Sequence, residues 1–250
     1  MENNVTVSSN LQAKYNSFYD QNIEQWRKLG AIQKVDNIIE LCKGLEIKKI
    51  LDVGAGDGSI LKLLDERAFG KQYQALEISQ SGIEKIREKK IKSLQSARLF
   101  DGYNIPYNDK EFDLVICSHV IEHVEFPRQF LREIGRVAKF QCLEVPRDYK
   151  HNVDKRADEL ISYGHIWVYS PTLFRFLLAT EKFQIIKDKK SFISLEMKQL
   201  QLKMNNKNSF TQNLKTKMIH FATQFAEKLV SEERFDLMIN AYTVLTQKND

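Results

Sequence analysis

The sequence predicts an α/β fold: a seven-stranded, mostly parallel sheet with an antiparallel edge strand, helices on both faces, and extra helices at the two ends. Three observations carry this expectation. Short apolar strands alternate with amphipathic helices at roughly 20–25 residue intervals between 48 and 147, the order expected of βαβ units and hence of a parallel sheet. The segment EFDLVICSHV (111–120) holds a continuous apolar run rather than an alternating one, as a strand covered on both faces requires. Three of only 10 glycines, Gly54, Gly56 and Gly58, crowd the point where a strand stops and a helix restarts.

Taken in order, residues 11–43 read as a helix with a break near Gly30, since Trp26, Ile32, Val35, Ile38, Ile39 and Cys42 recur at near-helical spacing. KKILDVGAG (48–56) is the first strand and DGSILKLLDERAF (57–69) the helix after it. QYQALEIS (72–79), SARLFDG (96–102) and 111–120 are the second to fourth strands, with a helix over 79–90. The helix over 127–137 opens on Pro127, suited to a first helical position, and places Phe130, Ile134 and Val137 on one face. FQCLEVPR (140–147) is the fifth strand. After a polar stretch comes a helix over 171–182, and then FQIIKDKK (183–190) and SFISLEMKQLQLK (191–203) are expected to pair as strands. Residues 210–247 are expected to be helical, with Leu214, Met218, Phe221, Phe225 and Leu229 forming a stripe that reads as core or as the face of a homodimer. The domain division is a helical cap over 1–45, a binding core over 46–200 and a C-terminal helical extension over 201–250.

Composition narrows the classes. With 4 prolines and 10 glycines in 250 residues the chain is neither collagen-like nor linker-dominated, and 42% hydrophobic with 28% charged residues is ordinary for a globular protein. The net charge of +5 is mild, and the lysine-rich 85–92 alternates with Ile86 and Ile91 as the wet face of a helix would. Aromatic residues are not interleaved with basic ones, so no nucleic-acid partner is expected. Cys42, Cys117 and Cys142 sit in apolar runs without a paired spacing, which suggests free buried thiols and a cytoplasmic location. The first residues lack the basic and apolar regions of a secretory signal, and no apolar run approaches the roughly 20 residues of a membrane span. No membrane insertion is expected.

The chemistry starts at Leu51-Asp52-Val53-Gly54-Ala55-Gly56-Asp57-Gly58-Ser59. A strand ending in glycines before a helix lets backbone N–H groups approach a ligand closely. A dinucleotide fingerprint needs a glycine where Ser59 stands, and Asp52 and Asp57 would repel a pyrophosphate. An amino-acid end bearing an ammonium group tolerates both. Glu77, at the end of the second strand, is placed to accept ribose hydroxyls.

With these motifs in view, residues 48–145 resemble the core of the class I S-adenosylmethionine-dependent methyltransferases, a Rossmann-like family, and particularly its small-molecule and ubiquinone-biosynthesis members. LDVGAGDGS resembles the first family motif, ALEIS the acidic second-strand motif, and FDGYNIPYNDKEFDLVICSHVIEHV the region from the third strand to beyond the fourth. The resemblance implies S-adenosyl-L-methionine as cofactor. Gly54, Ala55 and Gly56 would wrap its methionine end with Asp52 behind them, Glu77 would hold the ribose and Ile78 pack on the adenine. Asp101 would reach the adenine amino group with Gly102 beside it, and Ser118, His119 and Val120 would line the methionine and face the acceptor. Tyr15, Phe18, Tyr19 and Trp26 would form an aromatic lid, or plain core packing.

Candidates for acceptor chemistry are His123, just past the fourth strand, and His165, in the polar insertion where related enzymes place substrate contacts; either could instead be structural. Glu122 beside His123 resembles a metal-binding pair of some quinone-type relatives, but two adjacent residues are an incomplete cation site and no metal is expected. Glu144 and Arg147 flank Pro146 at the ligand edge, as acceptor contacts or as an ordinary ion pair. Neither the Asn/Asp-Pro-Pro-aromatic element of planar-amine methylases nor a Pro-Cys nucleophile follows the fourth strand. The expected acceptor is a small polar molecule, with O-methylation favoured. A sugar or its nucleotide- or phosphate-linked form in surface-polysaccharide synthesis is one such acceptor. N-methylation of a small amine, a non-catalytic binding partner and a nicotinamide oxidoreductase are the alternatives.

Overall fold

The structure, a computed structural model, describes residues 24–150 and 153–249. Its seven strands are β1 (Lys49–Val53), β2 (Gln72–Glu77), β3 (Leu94–Leu99), β4 (Phe112–Ser118), β5 (Ala138–Pro146), β6 (Phe183–Ser191) and β7 (Ala241–Lys248), in the order β3-β2-β1-β4-β5-β7-β6. β1 to β5 run parallel, and β7 is antiparallel to both β5 and β6. The described helices are α1 (Glu24–Leu41), α2 (Ser59–Glu66), α3 (Gln80–Glu88), α4 (Pro127–Val137), α5 (Ala157–Tyr163), α6 (Pro171–Thr180), α7 (Leu195–Met204), α8 (Phe210–Leu229) and α9 (Glu232–Met238). None is long and apolar enough to cross a membrane.

Strand periodicity divides the core in two. Leu51, Val53, Val115 and Cys117 face a layer containing Phe130 and Ile134 of α4 and Phe174 and Leu178 of α6. Ile50, Leu114, Ile116 and Cys142 face Val35 and Ile38 of α1, Leu61 and Leu64 of α2, and Ile83 and Ile86 of α3. All three cysteines are buried free thiols. The chain order reverses between β1 and β4, whose neighbours lie on opposite sides. The carboxyl ends of β1 and β4 therefore flank the crevice where open α/β sheets bind ligands.

Three expectations are corrected. α1 runs through Gly30 without a break. The segment expected as a strand over 191–203 is instead mainly α7, started by Ser194, whose hydroxyl accepts from the Met197 N–H at 3.2 Å. An N-cap serine before good helix formers outweighs a loose apolar alternation. The helix expected over 210–247, and with it a wholly helical extension from 201, ends early: AYTVLTQK forms β7, inserted between β5 and β6 with Tyr242 to Thr246 all buried. Its β-branched and aromatic content is a strand signal; sheet pairing beat the helical stripe. That stripe is not core either, because Phe210, Phe221 and Leu229 are 83%, 65% and 79% exposed.

Candidate functional site

The loop after β1 hangs on the end of β2. Gly54 and Ala55 both donate their N–H to the Leu76 carbonyl, at 2.8 and 3.0 Å. Gly54, Gly56 and Gly58 have φ of 76°, 59° and 76°, the left-handed region that glycine enters at no steric cost. Gly56 N–H donates to Glu77 Oε2 at 2.8 Å, and Ser79 donates its N–H and its hydroxyl to Oε1. Burial raises the Glu77 carboxyl above its ordinary value, against the pull of these donors. Asp57 is turned to Ser59 and to Lys89, 3.3 Å away. Asp52 is buried behind the loop on β1, and burial pushes its carboxyl up to about 7. Its Oδ2 meets no hydrogen-bond donor among the described residues.

A cleft of ≈ 950 Å³ opens over this loop, lined by Gly54, Ala55, Gly56, Glu77, Ile78, Gly102, Ser118, His119, Val120 and His123 among others. The sequence-predicted cofactor residues therefore converge, with two departures. Asp52 lies behind the lining rather than in it. Asp101 turns its carboxylate inward, accepting the N–H of Tyr103 at 2.8 Å and of Asn104 at 2.7 Å and the side-chain amide of Asn104, so Phe100, Gly102 and Tyr103 face the cleft instead. Trp26 and Lys34 of α1 and Met197 of α7 also line it. Tyr15, Phe18 and Tyr19 lie outside the described residues.

At the end of β4, His119 has φ 57°, a strained conformation for a non-glycine residue that functional sites tend to hold. Glu144 of β5 holds it twice: the His119 N–H donates to the Glu144 carbonyl at 2.9 Å, and Nε2 lies 3.1 Å from Oε1. Ser118 Oγ donates to the same oxygen at 3.0 Å and Thr243 Oγ1 to Oε2 at 2.6 Å, with Lys34 at 4.0 Å. Burial works to raise the Glu144 carboxyl, but His119, Lys34 and Thr243 prevail and hold it at about 2. Burial and Lys34 push the His119 ring below its ordinary value despite Glu144. In the neutral ring Nε2–H sits on Glu144 and Nδ1 keeps the lone pair. Sequence reading placed Glu144 and His119 at the same edge without pairing them, and the Lys34 contact had no sequence signal.

The polar insertion folds back on the turn after β4. α5 ends at Gly164, φ 81°, and the N–H groups of Ile166 and Trp167 both donate to the Glu122 carbonyl at 2.9 and 3.1 Å. Trp167 Nε1 adds a bond to the Val124 carbonyl at 2.8 Å. These bonds bring His165 to His123, their rings meeting edge to face with centroids 4.8 Å apart. His123 Nδ1 donates to the Gly164 carbonyl at 2.9 Å, and His165 Nδ1 to Asp148 Oδ2 at 2.7 Å. Behind His123 lies Glu122, fully buried, with burial pushing its carboxyl up to about 8.

Arg147 is 4% exposed and lines the cleft, yet its Nε and Nη1 meet no acceptor among the described residues. Lys150 and Arg156 line the same end; burial, then the Arg156 charge, lowers the Lys150 ammonium from its ordinary value. Sequence reading had singled out Arg147 but neither of these.

A doubly wound α/β fold with a glycine loop and an acidic second strand at its switch point defines a nucleoside-type cofactor binder. Residues 51–141 match the family model of a methyltransferase domain, and this region is a class I S-adenosylmethionine-dependent methyltransferase domain. The demethylmenaquinone methyltransferase of Thermotoga maritima is 29% identical over 115 residues, 46% of each chain. The norajmaline N-methyltransferase of Rauvolfia serpentina is 33% identical over 122 residues, 45% of this chain and 40% of that one. The matches thus span about half or less of these two relatives' lengths. Phosphoethanolamine N-methyltransferase 2 of Haemonchus contortus, solved with S-adenosyl-L-methionine, shares the fold with TM-score 0.64 at 14% identity, over 94% of this chain and 60% of that one.

Proposed function

We propose that the chain transfers a methyl group from S-adenosyl-L-methionine to a hydroxyl of a small acceptor bearing an anionic group, such as a phosphate- or nucleotide-linked sugar. The observation that carries this reading is a single cleft bordered by the glycine loop with Glu77, by the His119–Glu144 pair, and by the buried Arg147. The residues fit the cofactor. The Gly54–Gly56 backbone leaves room for its methionine end, and the Glu77 carboxylate, exchanging its Gly56 bond, can accept the ribose hydroxyls. Asp52 would contribute from behind the loop, and Ile78 and Gly102 would hold the nucleoside end, with Asp101 shaping that turn. When bound, the cofactor supplies a sulfonium methyl: the acceptor oxygen forms the C–O bond as the S–CH₃ bond breaks, leaving a neutral thioether and one released proton.

His119 is the base in this reading. Glu144 fixes its Nε2–H, so Nδ1 takes the hydroxyl proton, and the carboxylate stabilises the imidazolium that forms. Ser118 and Val120 line the approach; His123 and His165 form the acceptor end with Tyr163. Arg147, Lys150 and Arg156 supply the positive field for a phosphate or carboxylate, which a buried guanidinium whose Nε and Nη1 meet no acceptor among the described residues matches in geometry and charge. A small amine is the second reading, since a neutral His119 could equally deprotonate an ammonium. We also read the exposed stripe of α8 as the face of a homodimer, and the buried thiols as fitting the cytoplasm.

Calorimetry tests the cofactor: S-adenosylhomocysteine should bind with micromolar affinity, and NADH binding in its place overturns the reading. Transfer of labelled methyl groups to a panel of phosphosugars, nucleotide sugars and amines then tests the acceptor. Transfer to amines alone overturns O-methylation.

A further inference from the structure

We infer that Lys34 is a positioning residue for proton transfer: reaching in from α1, its ammonium keeps the His119 ring free to accept a proton. Lys34 lines the cleft. Its Nζ lies 4.0 Å from Glu144 Oε1, the oxygen that also holds His119 Nε2 at 3.1 Å. An ammonium and an imidazole thus share one carboxylate. Protonating the ring would set a second positive charge beside the first, and a nearby like charge disfavours that state. The Lys34 side chain is 24% exposed, and a partly buried charge is screened by salt much less than an exposed one.

The helix is fixed where this contact requires it. Val35, Ile38 and Leu41 seat the apolar face of α1 in the core. Asn37, three positions after Lys34, is only 2% exposed. A buried amide costs free energy unless it is hydrogen-bonded, and Asn37 Nδ2 donates to Ser191 Oγ of β6 at 2.9 Å and to Thr243 Oγ1 of β7 at 3.4 Å. Thr243 in turn donates to Glu144 Oε2 at 2.6 Å. α1 therefore reaches both oxygens of Glu144: one through the charge of Lys34, the other through the Asn37–Thr243 hydrogen bonds. The first tunes the pair and the second holds it in register with the helix.

Charged groups face His119 from four segments. Glu144 of β5 favours the imidazolium, and Glu122 Oε1, in the turn after β4, stands 3.7 Å from Nδ1. Burial, Lys34 of α1 and His165 of the insertion oppose it. Burial and then Lys34 carry the balance, lowering the ring from its ordinary value despite Glu144. The same ammonium works against the burial that raises Asp52 and Glu122. The charge that α1 brings thus acts on the cofactor side of the cleft as well as on the base. That His119 is the base rests on the proposed function; the action of Lys34 on its ring does not.

The test is NMR titration of the full-length protein labelled with ¹⁵N-histidine, the His119 signals being assigned by their loss in His119→Gln. In Lys34→Met the ring should titrate about one pH unit higher, a tenfold gain in proton affinity, as expected for loss of a unit charge at this range in a partly buried site. Lys34→Arg keeps the charge and should restore the native titration. An unchanged or lowered titration in Lys34→Met, or equal shifts in the Met and Arg proteins, overturns the proposal. Lys34→Gln takes the place of Lys34→Met if circular dichroism shows that protein unfolded, with the same shift expected. A base must be neutral to act, so its rate is lost as pH falls through the ring's value. The acid limb of kcat/KM for methyl transfer should therefore move up with the ring in Lys34→Met, with S-adenosylhomocysteine affinity near native by calorimetry. A shifted ring with an unshifted limb upholds the Lys34 contact and removes His119 as the base. Methyl transfer with an unshifted ring sinks the inference about Lys34 alone.

Discussion

Gly54, in the loop after β1, packs against Val120, in the turn after β4. A Cβ built there would stand 2.4 Å from Val120 Cγ2, 3.2 Å from Cγ1 and 3.4 Å from Cβ, on a backbone with φ 76°. Valine is stiff about χ1, and because its Cβ is also near, rotation alone leaves the contact tight. Gly54→Ala therefore carries two costs: about 1–2 kcal/mol for an L-residue in the left-handed region, and about 1–3 kcal/mol for overpacking. The expected loss is about 2–5 kcal/mol in urea unfolding followed by circular dichroism, with weaker S-adenosylhomocysteine binding by calorimetry. Val120→Ala in the same chain removes only the second cost. The double variant should thus be more stable than the summed single losses by about 1–3 kcal/mol while retaining the conformational cost. Strict additivity would refute the contact between the loops, and native stability of Gly54→Ala would refute the left-handed backbone.

Gly56→Val should lower S-adenosylhomocysteine affinity at least 100-fold in calorimetry, because a β-branched residue does not adopt φ 59° and its shift breaks the bond to Glu77. Glu144, held at about 2 against an ordinary 4.5, contributes stability that is fully present above about pH 4.5 and is lost as pH falls through about 2. Native protein compared with Glu144→Gln by urea unfolding should therefore lose an advantage of about 3 kcal/mol across that window. Arg147→Met should raise the acceptor KM about tenfold or more with kcat and cofactor affinity little changed, since its Nε and Nη1 meet no acceptor among the described residues; an unchanged KM would remove it from the acceptor site. Phe221→Glu, on the exposed face of α8, should convert a dimer to a monomer in light scattering, and a monomeric native protein would dismiss that face as an interface.

The parts legible in the sequence were those whose physics is local. Asp52 to Ser59 is one contiguous turn, and its glycines declare left-handed backbone wherever the chain goes. Glu77 follows one βαβ unit later, so its place beside the loop follows from the unit itself. Continuous apolar runs such as LVIC likewise imply a strand buried on both faces. Other features depended on competition between distant segments. Tyr242 to Thr246 became β7 because two strands offered their hydrogen-bonding edges, and α7 began where Ser194 could cap it. The stripe on α8 has helical spacing, but spacing alone does not say whether anything covers it.

The same division runs through the site. The sequence by itself determined the fold class, the loop and its acidic partner, because short-range sterics and strand periodicity dictate them. Only the tertiary structure decided that Glu144 holds His119, that Lys34 reaches Glu144, and that His165 joins Glu122 and His123. Those pairings close loops of tens of residues, and no local propensity encodes which distant side chains meet when the sheet edge is assembled.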